Sequence, residues 1–310
     1  MISCVSLNPS IDRTLEVENL VPGGLNRVRR QTDVAAGKGV NVALAVAALG
    51  LPCTCTGFMY SDGAALFEQR LSKGGVHCDF LQSPGAVRVN VKVFDRAQSE
   101  ITELNASGAE VSGEQLRQMR CRVLEHARQS EMLILSGSLP PGCPDDFYRT
   151  LAADAAGENC RVILDADGER LRLGLEARPF LVKPNRYELE TLVGHSLEGQ
   201  EDLLEAAVKL SAGGVHVVAV SLGGEGAMIT DGSQAYRAAG LKVKVRSTVA
   251  AGDSMIAGLA AGFCRNMPLS DAFRLGVAAA TARCATEPER RISAEDCRAL
   301  AEQIKVEKLF

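Results

Sequence analysis

The feature that most constrains the fold is a repeated alternation of short β-branched segments with longer segments of helical periodicity. The segments ISCVSL, CTCTGFM and MLILSG are each followed by a helix-like segment, around residues 39–49, 63–74 and 145–156. The segments RVILD, FLVK and HVVAVSLG continue the pattern, and each is expected to precede a further helix. Such alternation predicts a mostly parallel sheet covered by helices on both faces, in three α/β/α layers.

Ligands of such sheets bind at the carboxyl ends of the strands. The turns that follow the predicted strands should therefore meet at one edge of the sheet, at residues 136–142, 183–188 and 221–226.

Two regions break this alternation and predict a second, smaller sheet. Residues 86–95 (AVRVNVKVFD) place valines on one face and Arg88, Asn90 and Lys92 on the other, and SEITELN follows as a hairpin partner. We expect an antiparallel β-sheet lid formed by residues 12–34 and 86–105, and a main α/β domain formed by 1–11, 35–85 and 106–310. Because so thin a sheet cannot bury both faces by itself, one face should close over a site and the other should meet a partner.

Composition and charge exclude several classes of function. The chain has 310 residues, 46% of them hydrophobic, and a formal net charge of -4, which favours neither nucleic acid nor an anionic membrane as partner. No basic leader or long apolar segment is visible, so we expect a cytoplasmic protein with a small-molecule substrate. The ten cysteines and four histidines show no zinc spacing and no C-x-x-C pair.

The glycine-rich stretch AAGKGVNVA, residues 35–43, matches neither common nucleotide-binding motif. In a P-loop, Lys38 would be followed by Ser or Thr instead of Gly39, and a glycine would replace Thr32. A dinucleotide-binding turn would need a third glycine, which the stretch lacks.

The stretch STVAAGDSMIAG, residues 247–258, places Asp253 after three small residues and before an apolar helix. Small residues allow close approach of a ligand, and a helix start attracts anions, so an acid there would act beside a bound phosphate. Taken alone, however, the stretch favours a plain helix N-cap.

Several motifs occur in order along the chain: LNPSID, AAGKGVNVA, SGSLPPG, VKPNRYELE, SLGGEGA and the stretch around Asp253. Together they resemble the ribokinase-like, phosphofructokinase B family of sugar kinases over essentially the whole length. The spellings RVN (88–90), TELNASGAEV (102–111) and KPNRYELE look most like the 1-phosphofructokinases, with tagatose-6-phosphate kinases close behind.

This resemblance implies a catalytic role for Asp253 as the general base that takes the proton of the attacking sugar hydroxyl. The backbone N–H groups of Ala251, Gly252 and Asp253 would form the anion hole. The chain departs from the family at Ala250, where glycine is usual, and a β-carbon costs energy if that residue has a positive φ.

The resemblance also implies two sets of binding residues. Lys38, Arg88 and Arg27 are candidates for the substrate phosphate, Asp12 and Asn41 for the sugar hydroxyls, and the full substrate set adds Gly37, Gly39, Asn90 and Ser136. On the nucleotide side, Asn185 and Glu188 would support Mg²⁺ through water, and the ATP site would include Lys183, Asn185, Ser221, Gly223, Gly226, Thr248 and Ala280.

The expected reaction is ATP- and Mg²⁺-dependent phosphorylation of D-fructose 1-phosphate to D-fructose 1,6-bisphosphate. Tagatose 6-phosphate or fructose 6-phosphate kinases remain alternatives, as does a non-catalytic sugar-phosphate sensor. A kinase for unphosphorylated substrates would leave Lys38 and Arg88 without an anion.

We expect a homodimer through the lid, with Val87, Val89, Val91 and Val93 buried by the partner; alternatively residues 12–34 cover them within a monomer.

Overall fold

The computed structural model describes residues 1–287 and 290–310. The strands in chain order are β1 (Ile2–Ser6), β2 (Ser10–Val17), β3 (Arg30–Ala36), β4 (Cys53–Asp62), β5 (His77–Ala86), β6 (Arg88–Asp95), β7 (Glu100–Leu104), β8 (Met132–Ser136), β9 (Arg161–Asp165), β10 (Leu181–Val182), β11 (Val217–Ser221), β12 (Ala227–Thr230), β13 (Ala235–Ala238) and β14 (Val306–Lys308). The helices are α1 (Lys38–Ala48), α2 (Ala64–Lys73), α3 (Gly113–Gln129), α4 (Phe147–Gly157), α5 (Gly168–Leu175), α6 (Arg186–Val193), α7 (Gln200–Ala212), α8 (Ala251–Cys264), α9 (Leu269–Ala285) and α10 (Ala294–Gln303).

The main sheet has the strand order β14-β13-β12-β11-β10-β9-β8-β1-β4-β5. From β5 to β11 neighbouring strands are parallel, whereas β12, β13 and β14 are antiparallel. The central strands are apolar and fully buried, as expected for strands with helices on both faces. The predicted three-layer α/β fold with an additional small sheet is confirmed.

One predicted helix is wrong. The segment after β11 forms a short 3₁₀ turn, Gly223–Glu225, and then the hairpin of β12 and β13. Gly226, with φ 105°, lies so close to the hairpin that an added Cβ would be 2.0 Å from the carbonyl oxygen of Ala238. Met228 and Ile229 are almost fully buried, so the sheet edge offers more apolar burial than a helix over this glycine-rich turn could reach.

The small sheet has the order β3-β2-β6-β7. Its outer pairs are antiparallel, but the central pair β2 and β6 is parallel. The main sheet explains this pairing. Strand β2 follows β1 and β6 follows β5, so the chain enters both strands from the same carboxyl edge of the main sheet and they run in the same direction.

The two faces of the small sheet differ in polarity. The alternation along the paired strands places Asp12, Thr14, Asn90, Lys92 and Glu103 on one face, which we call the cleft face. The opposite, outer face carries the apolar side chains of Ile11, Leu15, Val89, Val91, Val93 and Leu104, together with the ion pair of Arg13 and Asp33.

Helices α8 and α9 pack with little side-chain material between them. A Cβ on Gly258 would lie 2.6 Å from the carbonyl oxygen of Leu275, and one on Gly262 would lie 2.6 Å from the Cα of Ala272. The backbones of the two helices are therefore in close contact along α8, the helix that begins at the candidate catalytic residue.

Over the described ranges, none of the helices combines the length and apolar character that crossing a membrane requires.

Candidate active site

Asp253 lies in the first turn of α8 and is buried, with 5% of its surface exposed. Its Oδ2 accepts a hydrogen bond of 2.9 Å from Nδ2 of Asn41 in α1. The alternative that Asp253 is the helix N-cap is wrong, because Ala250 occupies that position and has no side-chain oxygen to offer. A side chain of another helix thus holds Asp253 in place, and capping of α8 does not account for this residue.

Burial and the nearby carboxylate of Asp165 raise the pKa of Asp253 to about 6, against the opposing effects of Lys38, Asn41 and Lys183. A carboxylate with this pKa is ionised at neutral pH and is a stronger base than an ordinary aspartate. These are the properties that a general base for proton abstraction needs.

Asp165 is the carboxylate that pairs with two lysines near Asp253, and the sequence analysis missed it. It ends β9, is 2% exposed, and its carboxylate lies 3.2 Å from Nζ of Lys38 and 3.5 Å from Nζ of Lys183. Ser136 donates to the same carboxylate from the end of β8 at 3.1 Å. Burial raises the pKa of Asp165, but the two lysines outweigh this effect and lower it overall.

Lys38 is the first residue of α1, directly after Gly37, whose φ of 122° turns the chain into the helix. Burial lowers the pKa of Lys38, but the carboxylates of Asp165, Asp253 and Glu188 together raise it above its usual value. Gly39 brings the start of α1 against β1, since a Cβ there would lie 2.4 Å from the carbonyl oxygen of Val5. The structure therefore brings the predicted Lys38, Gly37, Gly39 and Asn41 together beside Asp253.

Lys183 lies over the start of α8. A Cβ on Gly252 would be 3.3 Å from its Nζ, so the glycine leaves room for the ammonium group at the helix entrance. The amide of Ala251 donates to the carbonyl of Thr248 at 3.3 Å, whereas the next two amides belong to a helical turn that lacks intrahelical acceptors. An anion at this point would meet the amides of Gly252 and Asp253 and the ammonium of Lys183.

The substrate candidates of the small sheet form a second polar group. Asp12 accepts hydrogen bonds from Ser10 at 3.0 Å and Asn90 at 3.2 Å, and its other oxygen lies 2.9 Å from Nζ of Lys92. Asp12 and Asn41 both line a cleft of about 660 Å³ between the small sheet and the main domain. This position suits Asp12 for contact with a polyhydroxylated ligand in that cleft.

Arg88 faces a smaller recess of about 360 Å³ rather than the large cleft. Its guanidinium donates to the carbonyls of Ala106 and Asn8 and to the hydroxyl of Ser138, at 2.7, 2.9 and 3.2 Å. Its buried Nε has no hydrogen-bond partner among the described residues. Arg170 and Ser107 line the same recess, so it contains a second cation and hydroxyl groups that sequence analysis did not single out.

Asn185 and Glu188 form a capping box at the start of α6. Oδ1 of Asn185 accepts from the amide of Glu188, and Oε2 of Glu188 accepts from the amide of Asn185, both at 2.8 Å. In the described part of the chain, no cluster of three or more His, Cys, Asp or Glu side chains could hold a metal ion. This arrangement fits a hydrated Mg²⁺ that arrives with nucleotide phosphates, because Mg²⁺ keeps most of its water and needs few carboxylates.

The other nucleotide candidates are spread over several elements. Ser221 forms a bridge with Asn185, and Gly223 and Gly226 belong to the turn that follows it. Thr248 instead lines the large cleft with Asp12 and Asn41, and Ala280 is half-buried on α9.

Arg27 is exposed in the connection between β2 and β3 and lines neither the cleft nor the recess.

Comparison with known proteins identifies the family of this chain. The model of the pfkB family carbohydrate kinases matches residues 1–293. The chain belongs to that family. It is 38% identical to a 1-phosphofructokinase of Rhodobacter capsulatus, over 89% of this chain and 88% of the relative, and 33% identical to a 1-phosphofructokinase of Bacillus subtilis, over 93% of each.

Solved structures agree with this assignment. A structure of phosphofructokinase-2 from Escherichia coli superposes with a TM-score of 0.91 and 30% identity, covering 98% of both chains. Another structure of that protein is of its tetrameric inhibited form. The predicted family is therefore confirmed, and with it the class of enzyme, a phosphotransferase that acts on an alcohol group and uses ATP with Mg²⁺.

Proposed function

We propose that this pfkB carbohydrate kinase transfers the γ-phosphoryl group of ATP to the C6 hydroxyl of D-fructose 1-phosphate. The observation that carries this proposal is the buried Asp253, with pKa raised to about 6, next to two lysines at a helix entrance. The curated relatives named 1-phosphofructokinase support the choice of sugar phosphate.

In the proposed reaction, the C6 oxygen attacks the γ-phosphorus while the bond from that phosphorus to the ADP oxygen breaks. Asp253 accepts the proton of the C6 hydroxyl, and the negative charge remains on ADP. Gly252 and Asp253 donate their amides to the migrating phosphoryl group, and Lys38 and Lys183 neutralise part of its charge.

Asp165 positions both lysines for this role. Lys38 lies 3.2 Å from Asp165, and its side chain is 41% exposed, so it is the one of the two that can rotate toward an arriving phosphate. Bound Mg²⁺ would neutralise charge on the ATP phosphates. Glu188 and Asn185 would orient its water ligands, and the capping box keeps both side chains fixed.

The phosphate already present on the sugar would bind at Arg88. The guanidinium is anchored by two backbone carbonyls, and its recess contains Ser138, Ser107 and Arg170 as further donors. Asp12, Asn90 and Asn41 would bind the ring hydroxyls, with Gly37, Gly39 and Ser136 shaping the wall, whereas the exposed Arg27 lies outside this site.

A second candidate function is phosphoryl transfer to the C1 hydroxyl of fructose 6-phosphate, favoured by the likeness to phosphofructokinase-2, one structure of which is a complex with fructose-6-phosphate. A coupled assay of ADP release, with equal concentrations of fructose 1-phosphate, fructose 6-phosphate and tagatose 6-phosphate, tests the proposal. We expect the highest kcat/KM with fructose 1-phosphate. A higher value with either 6-phosphate would replace the proposed substrate, and no turnover of any of them would favour a sugar-phosphate sensor.

We further propose that the small sheet, assigned to residues 12–34 and 86–105, is a lid and the interface of a homodimer. Val87 is buried within the chain, but Val89, Val91 and Val93 are only half-buried, and Leu104 on the same outer face is 60% exposed. A second copy of this face would bury that apolar surface, while the cleft face stays directed at the substrate. The tetrameric form of phosphofructokinase-2 supports an oligomer in general terms.

A further inference from the structure

Arg283, near the end of α9, has an unusual environment for a buried arginine. It is 8% exposed, and its guanidinium donates to three main-chain carbonyls of the segment that follows the helix. Nη1 donates to Arg290 at 2.6 Å, and Nη2 donates to Thr286 and Glu287, each at 2.7 Å. The arginine therefore brings the carbonyls of residues 286, 287 and 290 together around one positive charge.

This loop is joined to the segment that precedes α8. The carbonyl of Cys284 accepts from the amides of Arg246 and Ser247, at 2.7 and 3.4 Å. Nη1 of Arg246 also lies 3.3 Å from Oε1 of Glu287. Contacts that hold the backbone of residues 284–287 in place therefore also hold residues 246–247.

From Ser247 the contacts continue to the catalytic helix. The Ser247 hydroxyl accepts from the amide of Val249 at 3.1 Å, and the carbonyl of Thr248 accepts from the amide of Ala251 at 3.3 Å. Between them the chain passes through Ala250, whose left-handed conformation at φ 64° is an energetically unfavourable one for alanine. A segment of this kind keeps its shape only where the surroundings hold it.

We propose that Arg283 is a positioning residue for phosphoryl transfer: by binding the carbonyls of residues 286, 287 and 290 it holds the segment that sets the start of α8. It acts on Asp253 through Glu287, Arg246 and Cys284, which connect its carbonyl contacts to the segment before α8. This inference rests on the proposed catalytic role of Asp253. Its structural part, the fixing of residues 246–252, does not depend on that role.

The kinetic test uses Arg283→Ala and Arg283→Lys, with Arg265→Ala as the matched control. Arg265 also donates a guanidinium hydrogen bond to a carbonyl, that of Leu49, at the far end of α8. We expect both Arg283 variants to lower kcat about tenfold or more with little change in either KM, because the reacting groups are misplaced while the binding residues remain. The control should keep the wild-type kcat.

Chemical rescue separates this role from a general contribution to folding. Because Arg283 lines the open cleft, millimolar guanidinium ion should enter the space that Arg283→Ala leaves and restore part of its kcat. It should leave the wild type and Arg265→Ala unchanged. If Arg283→Ala does not fold, Arg283→Lys decides the matter, since it keeps the charge and loses the two-pronged geometry.

Hydrogen exchange provides a readout that is independent of activity. The amides of residues 247–252 should exchange faster in Arg283→Lys than in the wild type, while those of the control stay protected. Wild-type kcat in Arg283→Lys, unchanged exchange of these amides, or a loss of activity in Arg283→Ala that guanidinium does not reverse would each overturn the proposal. Faster exchange with wild-type kcat would keep the structural part of the proposal and overturn its kinetic part, while the activity of Asp253→Asn tests the role of Asp253 separately.

Discussion

Asn41 and Asp253, 212 residues apart in the chain, share a hydrogen bond of 2.9 Å between Nδ2 and Oδ2. The bond joins the first turns of α1 and α8, the two helices whose starts face the candidate site. One oxygen of Asp253 is thereby oriented by a donor, which leaves Oδ1 for the proton-accepting role proposed above. The geometry leads to a set of measurable consequences.

Replacement of Asp253 by asparagine should lower kcat at least about a hundredfold, the usual effect of losing a general base. Binding of ATP and of the sugar phosphate, measured by calorimetry, should remain nearly intact. Since folding raises the pKa of Asp253, the ionised carboxylate is less favourable in the folded state, and the Tm of the variant at pH 8 should not fall. The exposed Asp62→Asn is the control, and near wild-type turnover of Asp253→Asn would exclude the catalytic role.

The pH dependence should follow the ionisation of the same carboxylate. With a pKa raised to about 6, Asp253 is protonated and inactive as a base below that pH, so kcat/KM should rise with pH and level off above it. Lys38 lowers the pKa of Asp253, so its replacement by methionine should move the rising limb to higher pH. Steady-state rates from pH 5 to pH 8 measure both effects, and a limb that stays in place in Lys38→Met would contradict the assignment.

Arg88→Ala should raise KM for the sugar phosphate far more than KM for ATP. A charged hydrogen bond to the substrate phosphate contributes about 1.5 to 3 kcal/mol, which corresponds to a change of roughly ten- to a hundredfold. Arg149→Ala, which removes an exposed ion-paired arginine of α4, is the control. Equal changes in both KM values would place Arg88 outside the sugar site.

Ala250→Gly should stabilise the protein by up to about 1 kcal/mol, because glycine adopts the left-handed conformation without the steric cost that alanine has at φ 64°. Thermal unfolding measures the effect as a rise in Tm. The exposed Ala153→Gly in α4 should have the opposite sign, because there glycine only weakens a helix. A lower Tm for Ala250→Gly would show that residue 250 carries no strain.

Val89→Asp should turn a dimer into a monomer, because it places a charge in the middle of the apolar outer face of the small sheet. Light scattering at micromolar concentration measures the mass, and circular dichroism checks that the fold is kept. Tyr187→Asp introduces the same charge at an exposed position on α6 and should leave the mass unchanged. A monomeric wild type, or a fully active dimeric Val89→Asp, would exclude the interface.

The sequence was sufficient for the parts of the fold that local patterns determine. The β-branched runs and the periodic segments around α1, α2 and α4 predicted the parallel sheet, because buried strands and amphipathic helices leave distinct spacings. The segment after β11 was predicted incorrectly although Asp231-Gly232 is a local turn signal for the hairpin of β12 and β13; only the pairing of β13 with β14 depends on a distant strand. The parallel pairing of β2 with β6 likewise follows from where distant strands leave the main sheet.

The site was predictable through the resemblance to the sugar-kinase family, since the residues around Asp253 taken alone favoured a helix N-cap. Asp253, Lys38 and Asn41 lie on helix starts that glycine and small residues mark, and the structure brings them together. Asp165 could have been found only as an acid that ends a parallel strand, RVILD, because its partners Lys38 and Lys183 come from other parts of the chain. The recess at Arg88 was out of reach for the same reason, since its lining comes from separate parts of the chain at residues 8, 88, 107, 138–141, 143 and 170.

The close contact of α8 with α9 restricts the motion of α8 during turnover. Where Gly258 and Gly262 let two backbones meet, no layer of side chains is available to absorb a shift by changing rotamers. Helix α8 should therefore stay fixed relative to α9, and Asp253 should keep its position relative to the main sheet. The opening and closing proposed for the small sheet would therefore take place at its connections to the main domain, which include residues 7–10 and 86–88, and not in α8.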